Sequence, residues 1–252
     1  MEAPAKRERI EVCDADQTFL LICRPLDDTL PLPGEMMPTL TTKELLNAYA
    51  HGIFPMSETK RSRSIFWVDP ELRGIIPLDS FHVPRRLART VRQNVYEVRI
   101  NTCFDAVIEL CGTEAEDRPV NWINSTILRL YKELHRIGHA HSVESFADGK
   151  LVGGLYGVSL RGAFFGESMF TRARDASKVA LCHLVAHLKR KGFTLLDTQF
   201  LTKHLAQFGA IEIPRERYLT LLLESSFGSG SFGSVPNSLA GVDVLQSINH
   251  TS

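Results

Sequence analysis

Two carboxylates and an amide interrupt segments of this chain that are otherwise apolar. Glu167 stands in A-F-F-G-E-S-M-F, and Asp197 and Gln199 stand in L-L-D-T-Q-F. The alternation of a β-strand places Asp197 and Gln199 on one face, and in the first segment Phe165, Glu167 and Met169 share a face in the same way. An unpaired charge in a buried strand is costly. These side chains therefore predict either a structural hydrogen-bond network or a polar site inside an apolar pocket, and periodicity leaves both open.

The segments around these residues predict an α+β fold with a mixed sheet. From 139 to 170 the apolar period is two, and turn signals at Asp148-Gly149 and Arg161-Gly162 divide this region into a three-stranded antiparallel meander. A helix that ends at Gly192 then precedes a strand at 193–200. The order of meander, helix, strand, helix and strand is also that of the acetyltransferase-like (GNAT) fold.

Composition and periodicity divide the chain into four predicted parts. They are a poorly ordered extension (1–38), a small N-terminal α/β domain (39–82), a GNAT-like catalytic domain (83–224) and a flexible Gly- and Ser-rich tail (225–252). In the N-terminal domain, a helix precedes two short strands, predicted at 65–68 and 74–78. We predict that both strands belong to this small N-terminal layer.

The overall composition excludes several classes of protein. Lys and Arg together number 29, as do Asp and Glu, so no net charge favours nucleic acid and any RNA-binding surface must be local. The five cysteines include no C-x-x-C pair, which argues against a disulfide framework and fits a reducing compartment. The apolar run at 19–23 is too short for a secretory signal or a membrane span. These features predict a soluble, cytoplasmic protein.

A predicted helix after Pro84 concentrates positive charge. Its exposed positions carry four arginines, Arg85, Arg86, Arg89 and Arg92. Residues at these spacings share one helix face. The arrangement fits either a solvated surface or a stripe that contacts phosphates.

The histidines at 135, 139 and 141 have spacings that could ligate a metal ion. Gly138 interrupts the helix that would align the first two, and no cysteine completes the set, so we predict no metal site. The chain also contains no G-x-S-x-G and no P-loop.

Several runs between residues 41 and 222 carry a more specific resemblance. They are A-Y-A-H-G-I-F-P (48–55), F-W-V-D-P (66–70), R-G-I-I-P-L (73–78), W-I-N (122–124), L-H-R-I-G-H-A-H-S-V-E (134–144), L-V-G-G-L-Y-G-V (151–158), F-F-G-E-S-M-F (164–170), A-S-K (176–178), L-D-T-Q-F (196–200) and H-L-A-Q-F-G-A (204–210). Together they resemble the leucyl/phenylalanyl-tRNA-protein transferase family. Its members move Leu or Phe from aminoacyl-tRNA to the N-terminal Arg or Lys of a protein and so create a degradation signal.

The resemblance implies roles for particular residues. Asp197 and Gln199 match the family's catalytic pair, and Glu167 matches its supporting acid. The pocket for the aminoacyl group and terminal adenosine would include Met56, Trp122, Leu155, Phe164, Met169 and Leu184. Met56 stands where family members often carry Trp. The arginines of the helix after Pro84 match the tRNA-contacting stretch. The expected partners are Leu- or Phe-tRNA and acceptor proteins, with no metal or cofactor, no membrane and a monomeric enzyme.

The mechanism that we expect begins with a peptide α-amino group, which must lose a proton to attack the ester. We hypothesise that Asp197 orients Gln199, which holds the amine, while the carboxylate of Asp197 takes the proton. Glu167 either steadies Gln199 or meets the cation of the acceptor.

Two other functions remain as alternatives. An acyl-CoA-dependent N-acetyltransferase would need a glycine-rich loop at the helix start, where this chain reads T-R-A-R-D-A-S-K. A non-catalytic reader of RNA or peptide would not need Glu167, Asp197 and Gln199.

Overall fold

The computed structural model describes residues 40–62, 64–113, 122–233 and 239–249. The prediction for 1–38 lies outside these ranges. The strands are β1 (Phe54–Met56), β2 (Phe66–Val68), β3 (Leu72–Ile75), β4 (Glu97–Ile100), β5 (Ala140–Ala147), β6 (Lys150–Leu160), β7 (Ala163–Thr171), β8 (Leu195–Gln199) and β9 (Ile211–Pro214). The helices are α1 (Thr42–Ala50), α2 (Arg85–Arg92), α3 (Phe104–Cys111), α4 (Ser125–Arg136), α5 (Ala176–Arg190), α6 (Lys203–Ala206), α7 (Arg215–Ser226) and α8 (Gly241–Asn249).

A seven-stranded mixed sheet in the order β4-β5-β6-β7-β8-β3-β9 forms the centre of the protein. Strands β5, β6 and β7 make the predicted antiparallel meander, whose turns place Asp148, Gly149 and Arg161 at positive φ. Helix α5 then crosses over the sheet, and β8 returns parallel to β7. The predicted α+β fold with a mixed sheet is confirmed.

Strand β3 lies in the central sheet rather than in an N-terminal layer. It pairs with β8 on one side and with β9 on the other, so our assignment of the predicted strand at 74–78 to a separate layer is wrong. The alternation of a short strand shows which residues are buried but not which sheet buries them. A Cβ on Gly74 would lie 2.6 Å from the carbonyl carbon of Phe200, so glycine here permits the end of β8 to approach closely. The other predicted strand, β2, pairs with β1 in a small separate sheet.

Helices cover both faces of the central sheet. Helix α5 packs on one face, with α2 and α8 beside it, while α1, α3 and α4 contribute to a second apolar cluster that includes residues of β6 and β7. Within the predicted flexible tail, α8 buries Val244, Leu245 and Ile248, and we did not predict this helix. The Gly- and Ser-rich stretch before it obscured a short helical repeat of apolar residues. Within the described ranges, no helix combines the length and apolar character needed to span a membrane.

Candidate active site

The parallel strands β7 and β8 pair only over their first residues and then separate. Their last paired residues are Phe165 and Asp197. A cavity of about 770 Å³ lies beside this opening, bordered by the second half of β7 and by the chain that follows Asp197. Its lining is largely apolar, with Leu181, Leu184 and Leu196 among the residues that form it.

A β-bulge presents Glu167 at the opening. The register pairs Tyr156 with Ser168 and Gly157 with Gly166, so Glu167 has no partner on β6. A bulge of this kind changes the direction of side chains along a strand and is frequent beside active sites. Our prediction that Phe165, Glu167 and Met169 share a face is therefore wrong. Phe165 belongs to the cluster that contains α3 and α4, whereas Met169 packs against the cluster that contains α5.

Glu167 is the centre of a buried hydrogen-bond network. Its Oε1 accepts hydrogen bonds from Tyr49 Oη (2.7 Å) and Gln199 Nε2 (3.0 Å), and its Oε2 accepts one from Tyr131 Oη (3.1 Å). Burial raises the pKa of Glu167 to about 7, although these three donors oppose the shift. Tyr49 lies on α1 and Tyr131 on α4. Burial raises the pKa of each phenol most, and the negative charge of Glu167 raises it further. Both tyrosines therefore remain neutral donors.

Gln199 ends β8 in a left-handed backbone conformation, with φ of 64°. A non-glycine residue rarely adopts this conformation unless its surroundings hold it there. Here its backbone N–H donates to Asp197 Oδ1 at 2.7 Å, while its side chain reaches Glu167. The sequence predicted that Asp197 and Gln199 are neighbours, and they are in contact, but through the main chain of Gln199.

Asp197 forms a buried ion pair with Arg73 on the neighbouring strand β3. Arg73 Nε lies 3.0 Å from Oδ1 and Nη2 lies 2.7 Å from Oδ2, and Tyr218 Oη donates to Oδ2 at 2.7 Å. The Arg73 guanidinium also donates to the Gly52 carbonyl and lies between the rings of Phe54 and Tyr218. Burial lowers the pKa of Arg73, but the Asp197 carboxylate raises it and prevails. The Arg73 guanidinium therefore keeps its charge.

This arrangement leaves Asp197 no contact with the cavity. Its side chain is 0 % exposed, and it does not border the cavity. With the backbone N–H of Gln199 included, four protein groups donate to its oxygens, and a carboxylate has about four lone-pair sites. Glu167, by contrast, borders the cavity directly.

Four residues of the network escaped the sequence analysis: Arg73, Tyr49, Tyr131 and Tyr218. The sequence carried a signal for Arg73, because this arginine directly precedes the apolar run G-I-I-P-L. In the structure it lies within β3 and is 1 % exposed. It breaks the local pattern in the same way as Glu167 and Asp197. The tyrosines gave none, since an aromatic residue on an apolar helix face is usually a core residue.

The residues predicted for the aminoacyl and adenosine pocket fall into two groups. Those that border the cavity are Met56, Trp122, Leu155, Met169 and Leu184. Phe164 does not border it, because it is fully buried and packs against Phe193 and Phe232. We correct its assignment to a core residue.

The four predicted arginines lie on α2, and all of them are exposed, namely Arg85, Arg86, Arg89 and Arg92. Leu87 and Val91 are the buried residues of this helix. The exposed face is therefore free to meet an anionic partner, and its role in tRNA binding stays a prediction.

The three histidines considered as metal ligands contact other groups. His135 Nδ1 lies 2.8 Å from the Ala140 carbonyl oxygen, and His139 Nδ1 lies 3.2 Å from that of Ser159. His141 lies 3.0 Å from the Ser159 hydroxyl, and burial lowers its pKa to about 3. Within the described part of the chain, no cluster of three His, Cys, Asp or Glu side chains could hold a metal ion.

Comparisons with known proteins bear on this site. The family profile described as leucyl/phenylalanyl-tRNA protein transferase matches residues 75–223, and the profile of its N-terminal domain matches 39–71. A leucyl/phenylalanyl-tRNA–protein transferase of Caulobacter vibrioides (strain NA1000 / CB15N) is 53 % identical over 217 residues, which are 86 % of this chain and 100 % of the relative. One from Rhodopseudomonas palustris (strain TIE-1) is 56 % identical over 214 residues, 84 % of this chain and 95 % of the relative. Among solved structures, FemX matches 76 % of this chain and 67 % of its own at 11 % identity and a TM-score of 0.41. This chain belongs to the leucyl/phenylalanyl-tRNA-protein transferase family of aminoacyltransferases.

Proposed function

We propose that this protein transfers leucine or phenylalanine from aminoacyl-tRNA to the N-terminal α-amino group of proteins that begin with Arg or Lys. One observation carries the proposal: Gln199 and Glu167, joined by a hydrogen bond, both border an apolar cavity that can hold an aminoacyl ester. Small-molecule sites combine an apolar lining with a few converging polar groups in this way.

The size and lining of the cavity suit the two amino acids and a nucleoside. Its volume of about 770 Å³ lies within the range common for small-molecule sites. Leu155, Leu181 and Leu184 supply an apolar surface on which a Leu or Phe side chain gains free energy by leaving water. Trp122 also borders the cavity and offers an aromatic face to the adenine.

The chemistry requires that the acceptor amine lose one proton. The amine nitrogen forms a bond to the ester carbonyl carbon, the bond from that carbon to the ribose oxygen breaks, and the ribose leaves as an alcohol. We assign the proton to Glu167, which borders the cavity and has a pKa of about 7, close to the optimum for a base at neutral pH. The same carboxyl then returns the proton to the ribose oxygen. Gln199 positions the amine.

Asp197 takes a different role from the one hypothesised from the sequence. Because it is enclosed by Arg73, Tyr218 and the Gln199 backbone, we propose that it positions Gln199 and exchanges no proton. Its interaction with the backbone N–H supports the left-handed conformation that directs the Gln199 side chain towards Glu167.

The partners follow from this reaction. We propose that the exposed arginines of α2 contact tRNA phosphates, because positive side chains on one helix face provide sequence-independent affinity. All the groups assigned above come from one chain, so a monomer suffices. Aminoacyl-tRNA as a substrate places the reaction in the cytoplasm.

A transfer assay tests the proposed function. The purified protein would receive separately charged Leu-, Phe- and Met-tRNA with peptides that begin with Arg, Lys, Asp or Glu. We expect transfer from Leu- and Phe-tRNA, weaker transfer from Met-tRNA, and acceptance by Arg and Lys peptides. A peptide with an acetylated N-terminus should accept nothing. Absence of transfer from both Leu- and Phe-tRNA would contradict the proposal.

A further inference from the structure

A second cavity lies beside the first, at the start of α5. It has a volume of about 400 Å³ and is bordered by the end of β7, the connection to α5, the first turn of that helix and His204 of α6. The two cavities share four lining residues, Thr171, Arg172, Ser177 and His204. A ligand in the first cavity can therefore extend into the second without crossing the protein interior.

The second cavity is positively charged. Arg172, Arg174 and Lys178 border it, together with one acid, Asp175. Lys178 Nζ lies 2.9 Å from Asp175 Oδ1, and Arg174 Nε lies 3.8 Å from Oδ2, so this single carboxylate is shared between two cations. Three positive charges against one negative charge leave an excess of two. His204 adds no charge at neutral pH, because burial and then the nearby Lys178 lower its pKa.

The start of α5 adds to this positive potential. Asp175, at the N-cap position, has φ of 63° and its side chain accepts no hydrogen bond from the backbone N–H groups of the first turn. The helix is 15 residues long, and its N-terminus carries a partial positive charge from the peptide dipoles. The cations and the helix end thus favour an anion at the same place.

We propose that the second cavity binds the 5′-phosphate of the terminal adenosine of aminoacyl-tRNA. The proposal rests on the proposed function, which places the aminoacyl ester and its ribose in the first cavity. The 5′-phosphate is the next charged group of the RNA, and Arg172 stands at the boundary between the two cavities. Arg172 is exposed, and its guanidinium makes no ion pair with the described part of the chain.

The same contacts indicate the direction in which the RNA continues. Tyr96 Oη donates to the Arg174 carbonyl oxygen at 2.6 Å and so ties the wall of the second cavity to the segment that follows α2. Helix α2 also packs against α5. An RNA chain that leaves the second cavity along this wall can therefore reach the arginines of α2.

The test compares two unreactive analogues of the substrate. In both, phenylalanine is joined to the 3′ position of adenosine through an amide, and only one carries a 5′-phosphate. Calorimetry would measure the Kd of each for the full chain. We expect the phosphorylated analogue to bind about tenfold more tightly, the usual gain from a charge-assisted contact. The ratio of the Kd of the analogue without phosphate to that of the phosphorylated analogue should fall towards one in Arg172→Ala and should decrease at higher salt.

Two further variants sharpen the test. Asp175→Asn removes the only acid among the described residues that line the second cavity, and asparagine tolerates the left-handed conformation, so the preference for the phosphorylated analogue should rise. Arg190→Ala, an exposed arginine at the other end of α5, should keep the wild-type preference. Equal binding of the two analogues by the wild type, or an unchanged preference in Arg172→Ala, would overturn the phosphate site alone. Failure of both analogues to bind would overturn the proposed function with it.

Discussion

Replacement of Asp197 by Leu is expected to destabilise the protein by about 3–5 kcal/mol, the range for breaking a buried ion pair on one side. The reason is that Arg73, 1 % exposed, would keep its charge in the interior without a carboxylate. Urea unfolding measures the loss. An exposed aspartate on α3, changed in Asp105→Leu, serves as the control and should cost less than about 1 kcal/mol.

A double variant separates this effect from a general loss of packing. In Arg73→Met with Asp197→Leu, both charges are replaced by apolar side chains, so no unpaired charge remains. We expect the double variant to be more stable than Asp197→Leu alone, which a double-mutant cycle reports as a coupling energy. Additive losses from the two single variants would contradict the ion pair as the dominant interaction. The rate of aminoacyl transfer should be low in Asp197→Leu and equally low in the double variant, because in both the Gln199 N–H lacks its acceptor.

Replacement of Glu167 by Gln is expected to lower kcat/KM by roughly 10²–10⁴-fold, the contribution typical of a general base. In the wild type, kcat/KM should rise with pH through a step near 7, where Glu167 loses its proton. The acceptor amine produces a second step at about 7.7–8.0. The variant should keep only the second step. A profile with both steps in Glu167→Gln would show that another group takes the proton.

The same carboxyl links stability to pH. The pKa of Glu167 rises from 4.5, the ordinary value of a glutamate carboxyl, to about 7 in the folded protein. Because the carboxyl holds its proton more tightly in the folded protein, it stabilises the fold at pH values below the pKa of the unfolded chain. This contribution to the free energy of unfolding, roughly 3 kcal/mol in total, is lost as the pH rises through the pKa of the folded protein. The free energy of unfolding, measured between pH 4 and 8, should therefore decline more steeply in the wild type than in Glu167→Gln.

Tyr131→Phe removes one hydrogen-bond donor to Glu167 and should move the step in kcat/KM near pH 7 to higher pH.

Local patterns predicted most of the sheet because its determinants are local. The meander follows from alternation and from turn residues at 148–149 and 161–162, and α5 follows from its apolar periodicity and Gly192. The position of β3 depends on which strand it meets, a contact between residues far apart in the sequence. The short helix α8 was hidden by the composition around it.

Three members of the site were predictable from the sequence, but their geometry was not. Glu167, Asp197 and Gln199 were recognisable as polar residues in apolar strands, and the structure brings all three into one network. The alternation of β7 predicted the wrong face for residues around Glu167, because the β-bulge adds an unpaired residue that no sequence pattern indicates. The pairing of Asp197 with Arg73 encloses that carboxyl and leaves Glu167 as the one of the two that borders the cavity, and it joins residues 124 positions apart.

The rate of a single turnover by Gln199→Ala tests the central claim most directly. Enzyme in excess over Phe-tRNA would transfer Phe to a peptide that begins with Arg, with Gln246→Ala on the exposed face of α8 as a matched control. If Gln199 and Glu167 form the transfer site, Gln199→Ala should lose roughly 10²–10³-fold in rate, the range seen when a positioned donor is removed, and Gln246→Ala should lose nothing. A rate near that of the wild type in Gln199→Ala would contradict the account.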